Sequence, residues 1–103
     1  MSGYTRPLSI AKRVTESGAA HEAQTALCAY EIVALGGDVL VDFKDGVSGE
    51  ILWSAEADAS AGSKSESFDR PILFPNGVYI DVVDGEGFLH SVSVALDLPQ
   101  SSA

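Results

Sequence analysis

From residue 39 to residue 96, apolar and polar positions alternate in short runs cut by glycine-centred turns. Val39, Val41 and Phe43 point one way, and Asp42 and Lys44 the other. Ile51 and Trp53 share a face. Val78, Ile80 and Val82 form an inward row, with Tyr79 and Asp81 outward. Phe88, His90, Val92, Val94 and Leu96 make the last inward row, opposite Ser91 and Ser93. A period of two in β-branched and aromatic residues predicts strands, because successive side chains leave a strand on opposite faces. Asp45-Gly46 and Asn76-Gly77 supply turns that fold such strands back antiparallel. Alternation with polar residues outside predicts an all-β protein, an antiparallel two-sheet β-sandwich of jelly-roll or Ig-like type.

Upstream, residues 22–33 read as the first strong strand. Ala26, Cys28, Tyr30 and Ile32 form one face, and Thr25, Leu27, Ala29 and Glu31 the other. Ala23, Ala26, Leu27 and Tyr30 also fit a helical stripe, but the cluster of Thr, Tyr, Ile and Val before Leu35-Gly36-Gly37-Asp38 favours the strand. Residues 56–67, rich in Ala, Ser and Gly, read as a loop or a weak edge strand, with Lys64 and Glu66 discouraging pairing with other chains. Pro71 and Pro75 bracket Ile72-Leu73-Phe74 as a short edge segment. Residues 1–20 lack steady periodicity and read as an extended N-terminal arm. Within them Leu8-Ser9-Ile10 suits a short strand, and residues 10–16 a brief helix ended by Gly18. The expected organisation is an arm over residues 1–20, a sandwich over 21–98 and a disordered tail over 99–103.

The chain has 103 residues, 46% of them hydrophobic. A single domain of that size buries roughly 65% of its unfolded surface without staples. Cys28 is the single cysteine, which excludes an internal disulfide and a four-cysteine zinc site. No apolar run approaches the ~20 residues that span a bilayer, and no apolar segment follows Arg6, so no membrane role and no export are expected. Net charge is −9, unevenly spread: Arg6, Lys12 and Arg13 give +3 through Thr15, and the remainder carries −12. An acidic body repels phosphates, so nucleic acid is not an expected partner. The basic arm is expected either to lie on an acidic surface (its own domain, a sister subunit or another partner) or to be a solvated terminus.

Candidate chemistry is sparse. Cys28 falls among apolar same-face neighbours and reads as a small core residue. His90 takes an inward position beside Val92, where a hydrogen-bonded core or interface histidine is commoner than a catalyst. His21 and His90 lack flanking catalytic patterns, and no Gly-x-Ser-x-Gly elbow occurs. Asp42, Asp45 and Glu50 flank one turn, and Asp81, Asp84 and Glu86 another; neither has calcium-loop spacing. Turn chemistry accounts for them better. Trp53 falls in an inward row and reads as core. Tyr79, outward, is the better interface candidate, with Tyr4 a looser one. The expectation is therefore a non-enzymatic protein with no catalytic residue, metal or cofactor. Its partner-binding candidates are Arg6, Lys12, Arg13 and Tyr79.

The run Asp45-Gly46-Val47-Ser48-Gly49-Glu50-Ile51-Leu52-Trp53, followed by Phe68-Asp69-Arg70-Pro71-Ile72-Leu73-Phe74-Pro75-Asn76-Gly77-Val78-Tyr79, resembles small β-sandwich virion proteins of tailed bacteriophages. In those, a strand ending in Asp-Gly-x-x-Gly leads to an apolar strand, a Ser/Gly-rich loop and then Phe-x-Asn-Gly-Leu-Tyr. The resemblance covers roughly residues 28–96; Val78 stands where Leu is commoner, and the arm is not part of the pattern. It implies a structural role: capsid decoration or cement, or a head or tail component, located in the virion after assembly in the host cytoplasm. The implied partners are the major capsid protein or another virion protein, and further copies of the chain in a homo-oligomer. A receptor- or carbohydrate-binding module on a tail or fibre is the alternative.

Overall fold

The computed structural model describes residues 8–98. Eight strands follow in order: β1 (Leu8–Val14), β2 (Gly18–His21), β3 (Thr25–Ala34), β4 (Val39–Asp45), β5 (Ile51–Ala57), β6 (Ser63–Phe74), β7 (Val78–Asp84) and β8 (Leu89–Leu98). A single 3-10 turn, Glu86–Phe88, precedes β8. The strands form two antiparallel four-stranded sheets, β1-β8-β3-β6 and β2-β7-β4-β5. Pairing is nested: β1 with β8, β2 with β7, β3 with β6 and β4 with β5. One long antiparallel ribbon is thus rolled into two layers, and β3·β8 and β4·β7 pairings close each sheet. That wiring is the jelly roll rather than the Ig-like alternative.

The inner faces carry the apolar rows. Val39, Val41 and Phe43 of β4 and Val78 and Ile80 of β7 are fully buried against Leu27, Ile32, Val92 and Leu96 of the opposite sheet, with Tyr30 and Val94 nearly so. Ala20, Ala55 and Ala57 fill the thinner margin of the second sheet. At the β5/β6 rim the core closes with aromatics. Trp53 meets Phe68 edge-on at 4.9 Å, and Tyr30 lies 5.2 Å from Phe43 and 6.0 Å from Phe68. Trp53 is accordingly half-buried, packed on the core at its rim. Trp53 Nε1 donates to Tyr30 Oη at 3.3 Å, and Tyr30 Oη donates to Glu66 Oε1 at 3.1 Å. The buried ring therefore keeps its hydroxyl satisfied.

Residues 8–20, expected as part of an arm, supply strands to both sheets, and the short strand expected at Leu8–Ile10 is the start of β1. β1 pairs with the C-terminal part of β8 from Leu8↔Leu98 to Val14↔Val92, and Ile10 and Val14 pack on the core. The crossover to β2 is pinned by Ser17, whose Oγ accepts from the Val82 backbone N–H at 2.9 Å. The sandwich thus begins at Leu8 rather than at residue 21, and the helical alternative over residues 10–16 does not form. Arg6, the rest of the expected arm and the expected tail over 99–103 lie outside the described residues.

Three bulges shift faces that strict alternation predicts. On β5 Leu52 is extra against β4, so Ile51, expected to share a face with Trp53, is exposed while Leu52 and Trp53 pack on the core. Against β8, Leu27 pairs Leu96 and Ala29 pairs Ala95, leaving Cys28 as an extra residue. The buried positions on β3 therefore run Thr25, Leu27, then Tyr30, Ile32, Ala34, and Cys28 leaves the core for an intermediate position. Likewise Val33 pairs Ser91 and Ala34 pairs Leu89, so His90 is extra and exposed. Phe88, also expected inward, lies in the 3-10 turn at 46% exposure. Its ring covers Gly37, where a Cβ would fall 2.3 Å from it.

Candidate functional site: the two outer sheet faces and the glycine-turn end

The two motif-bearing turns, 46–50 and 75–77, stand side by side at one end of the sandwich. The Asp45 carboxylate joins them, accepting from Asn76 N–H at 2.7 Å and from Asn76 Nδ2 at 3.1 Å. Gly46 N–H donates to Gly77 O at 3.0 Å. Gly77 adopts φ +94, and a Cβ there would sit 2.2 Å from the His21 carbonyl oxygen. Glycine is needed at this position for conformation and for space alike. An open cleft of about 420 Å³ lies beside these turns, lined by His21, Glu22, Val47, Asn76 and Tyr79. Tyr79 is half-buried, with Lys44 Nζ 5.9 Å from its ring centre.

The acidic turn residues act on the backbone and on neighbouring side chains. Asp42 accepts from Ser54 Oγ at 2.6 Å, and Asp38 accepts from Ala59 N–H at 2.7 Å. Among the described residues, no group of three or more His, Cys, Asp or Glu side chains converges as a metal site. Nor, among them, is any helix long and apolar enough to cross a membrane.

The outer faces of the two sheets differ in chemistry. The β2-β7-β4-β5 face carries Asp42, Lys44, Glu56, Tyr79 and Asp81 on its outward positions. The β1-β8-β3-β6 face is paved with short side chains. One row crosses all four strands as Ala11, Ala95, Ala29 and Ser67, and the next as Arg13, Ser93, Glu31 and Ser65. A third joins Ser91, Val33 and Ser63. Short side chains leave the sheet flat, so only shallow depressions form. One of about 270 Å³ is lined by Ala11, Ala29, Glu31, Ser93 and Ala95, and a neighbour of about 320 Å³ by Ala29, Ser65 and Ser67. A third, about 260 Å³, is lined by Ala26, Pro71, Leu73 and Asp97 at the turn end of the same face.

Of the residues expected to bind a partner, the structure brings Lys12 and Arg13 together on β1 and sets Tyr79 on the opposite face. Arg13 projects outward, and its Nη2 donates to His90 Nε2 at 3.3 Å. Lys12 falls in the inward row of an edge strand, between Ile10 and Val14, and is exposed at the rim. His21 lies at the end of β2 in the other sheet. Cys28 Sγ donates to Ala26 O at 3.7 Å. Burial, then the hydrogen bond and negative charge of Asp97, push its thiol up to about 11. A thiol so raised is a poor nucleophile at neutral pH. The flat face itself was missed by strand-by-strand reading; its signal is the recurrence of Ala and Ser at outward positions of β3, β6 and β8. Comparisons of the chain with protein-family models, with curated proteins and with solved structures find no match.

Proposed function

We propose that this chain is a non-enzymatic structural component of a tailed-bacteriophage virion, a capsid decoration or cement protein that docks on the major capsid protein. The observation that carries the reading is the nested eight-strand jelly roll presenting one flat, small-residue sheet face. Jelly rolls recur in viral capsid domains, and also in lectins and cupins, so fold contributes by analogy. A flat face of short side chains adds close backbone approach over a broad area, which suits docking on another folded surface. The turns that carry the family resemblance are joined through Asp45 and Asn76, which makes that end a rigid unit. Arg13 on β1 supplies a cationic contact on the docking face, and Lys12 a second at the exposed rim beside it. Replacing both with Ala should weaken incorporation into particles, most visibly at raised salt, because such contacts are screened. Incorporation unchanged across salt concentrations would remove them from the mechanism.

A second reading, a carbohydrate-binding module of a tail or fibre, draws on the end cleft, where Tyr79 lies beside His21, Glu22 and Asn76. Glycan-array binding that is lost in Tyr79→Ala would favour it, and an array without binders would count against it.

A further inference from the structure

We propose that the outer edge of β1 takes an added strand from another protein, an extended acidic segment that becomes the fifth strand of the β1-β8-β3-β6 sheet. The edge adjoins the flat face without occupying it, and the inference holds whatever protein supplies the segment.

Among the described residues the two open sheets have four edge strands, β1, β6, β2 and β5. Outward N–H and C=O groups along an edge invite strand addition unless shortness, bulges, prolines or charge prevent it. Three of these edges are blunted in such ways. β6 bulges over residues 68–71 opposite Cys28, and Pro71 lies within that bulge. β2 has four residues and is itself irregular between Ala19 and His21. β5 is interrupted by the extra Leu52, and its rim closes on β6 through Trp53 and Phe68. β1 lacks all of these devices. Its seven residues keep unbroken register with β8 from Leu8↔Leu98 to Val14↔Val92. Among the described residues no strand pairs with its other side, where alternate N–H and C=O groups point away from the sheet.

Charge selects the occupant. β1 carries Lys12 and Arg13 and no acid, in a chain of net charge −9. Lys12 takes an inward-row position between Ile10 and Val14, yet is exposed. A lysine there lays its stem along the apolar rim and holds its ammonium at the edge, where side chains of a next strand would stand. Edge lysines also discourage self-pairing. Two β1 edges joined antiparallel would crowd Lys12 and Arg13 against their own copies, which disfavours a second copy here. Carboxylates opposite the same residues reverse the sign, since opposite charges across a ladder attract and like charges repel. The bond from Arg13 to His90 engages Nη2, and a guanidinium keeps further donors for a carboxylate.

The probe is the acetylated and amidated peptide Val-Glu-Glu-Thr-Val-Thr-Val. Laid antiparallel, it sets its two Glu opposite Arg13 and Lys12 and its valines opposite Val14, Ile10 and Leu8. Titrated into the isotope-labelled full chain, it should shift the amide resonances of residues 9–14 saturably, with Kd about 0.1–1 mM, as a short strand ordered on binding should. The peptide with Lys in place of both Glu should bind at least about 10-fold more weakly. Replacing the central Thr-Val by Pro-Pro removes a ladder donor in either register and should abolish binding. Lys12→Glu/Arg13→Glu, its fold checked by the dispersion of the same spectrum, should reverse the preference between the two charged peptides. No saturable shift at roughly 5 mM acidic peptide overturns the proposal. So do equal affinities for the two charged peptides, binding that survives Pro-Pro, or shifts centred on β5, β6 or the end cleft. Shifts along β1 that follow the concentration of the chain itself would give the edge to a second copy and also overturn it. Particle binding plays no part in the readout, so the virion reading stands or falls separately.

Discussion

Tyr30→Phe probes the polar link inside the aromatic rim with the least disturbance. The ring stays, so packing against Phe43 at 5.2 Å and Phe68 at 6.0 Å is retained. What goes is one hydroxyl that accepts from Trp53 and donates to the Glu66 carboxylate. A neutral hydrogen bond contributes about 0.5–1.5 kcal/mol net, and one to a charged group about 1.5–3. Trp53 and Glu66 are both half-buried, so water recovers part of each loss. The expected net destabilisation is about 1.5 kcal/mol, which lowers Tm by roughly 6–12 °C in a domain of this size. Burial raises the Tyr30 phenol above its ordinary value, so the donor is protonated throughout the neutral range. Thermal unfolding followed by circular dichroism reads the shift. Glu66→Gln, which keeps an acceptor, should cost less, and the two substitutions should be non-additive because they share a bond. A Tyr30→Phe protein melting within about 2 °C of wild type would refute the claim that this link closes the rim.

Gly77→Ala should destabilise by at least ~2 kcal/mol, as it combines a positive φ with a Cβ pressed on the His21 carbonyl. Gly46→Ala, whose nearest neighbour would be the Asn76 Cβ at 3.2 Å, should cost only about half as much; equal chemical denaturation midpoints for the two would contradict the assignment. Cys28, held near 11 in the fold against 9.0 unperturbed, should alkylate about 100-fold more slowly at pH 8 than the same thiol in the denatured chain. Its folded-state pKa is raised, so the stability it contributes is full below pH 9 and is lost as pH rises through about 11. Cys28→Ala should flatten the stability profile over that window, and an unchanged slope would argue against the shift.

β4 and β7 were legible because their periodicity is unbroken through the core, whereas β2 was read as arm and Leu52 is an extra residue on β5. β4 and β7 bury every second residue from Val39 to Phe43 and from Val78 to Val82, and the turns between strands carry Gly at positive φ. β3 and β8 were legible as strands, with Tyr30 and Ile32 and with Val92, Val94 and Leu96 inward as expected, but were misphased on the far side of a bulge. Each holds one extra residue, Cys28 and His90, and neither has a glycine to announce the bulge. β1 was legible only at its start, Leu8–Ile10, because much of an edge strand is solvated and Val14 stands alone after Lys12 and Arg13. The choice between jelly roll and Ig-like wiring rests on pairings such as Leu8↔Leu98, which link the ends of the chain and leave no local trace. The flat face was hidden for the same reason. Ala11, Ala95, Ala29 and Ser67 become one row only when four distant segments are placed in register.

The central claim is a structural role in a virion, and quantitative mass spectrometry of purified particles from the genome that encodes the chain tests it most directly. The account predicts the chain in those particles at roughly hundreds of copies each, the number symmetric capsid decoration requires. Particles that assemble intact and contain none of it would contradict the account.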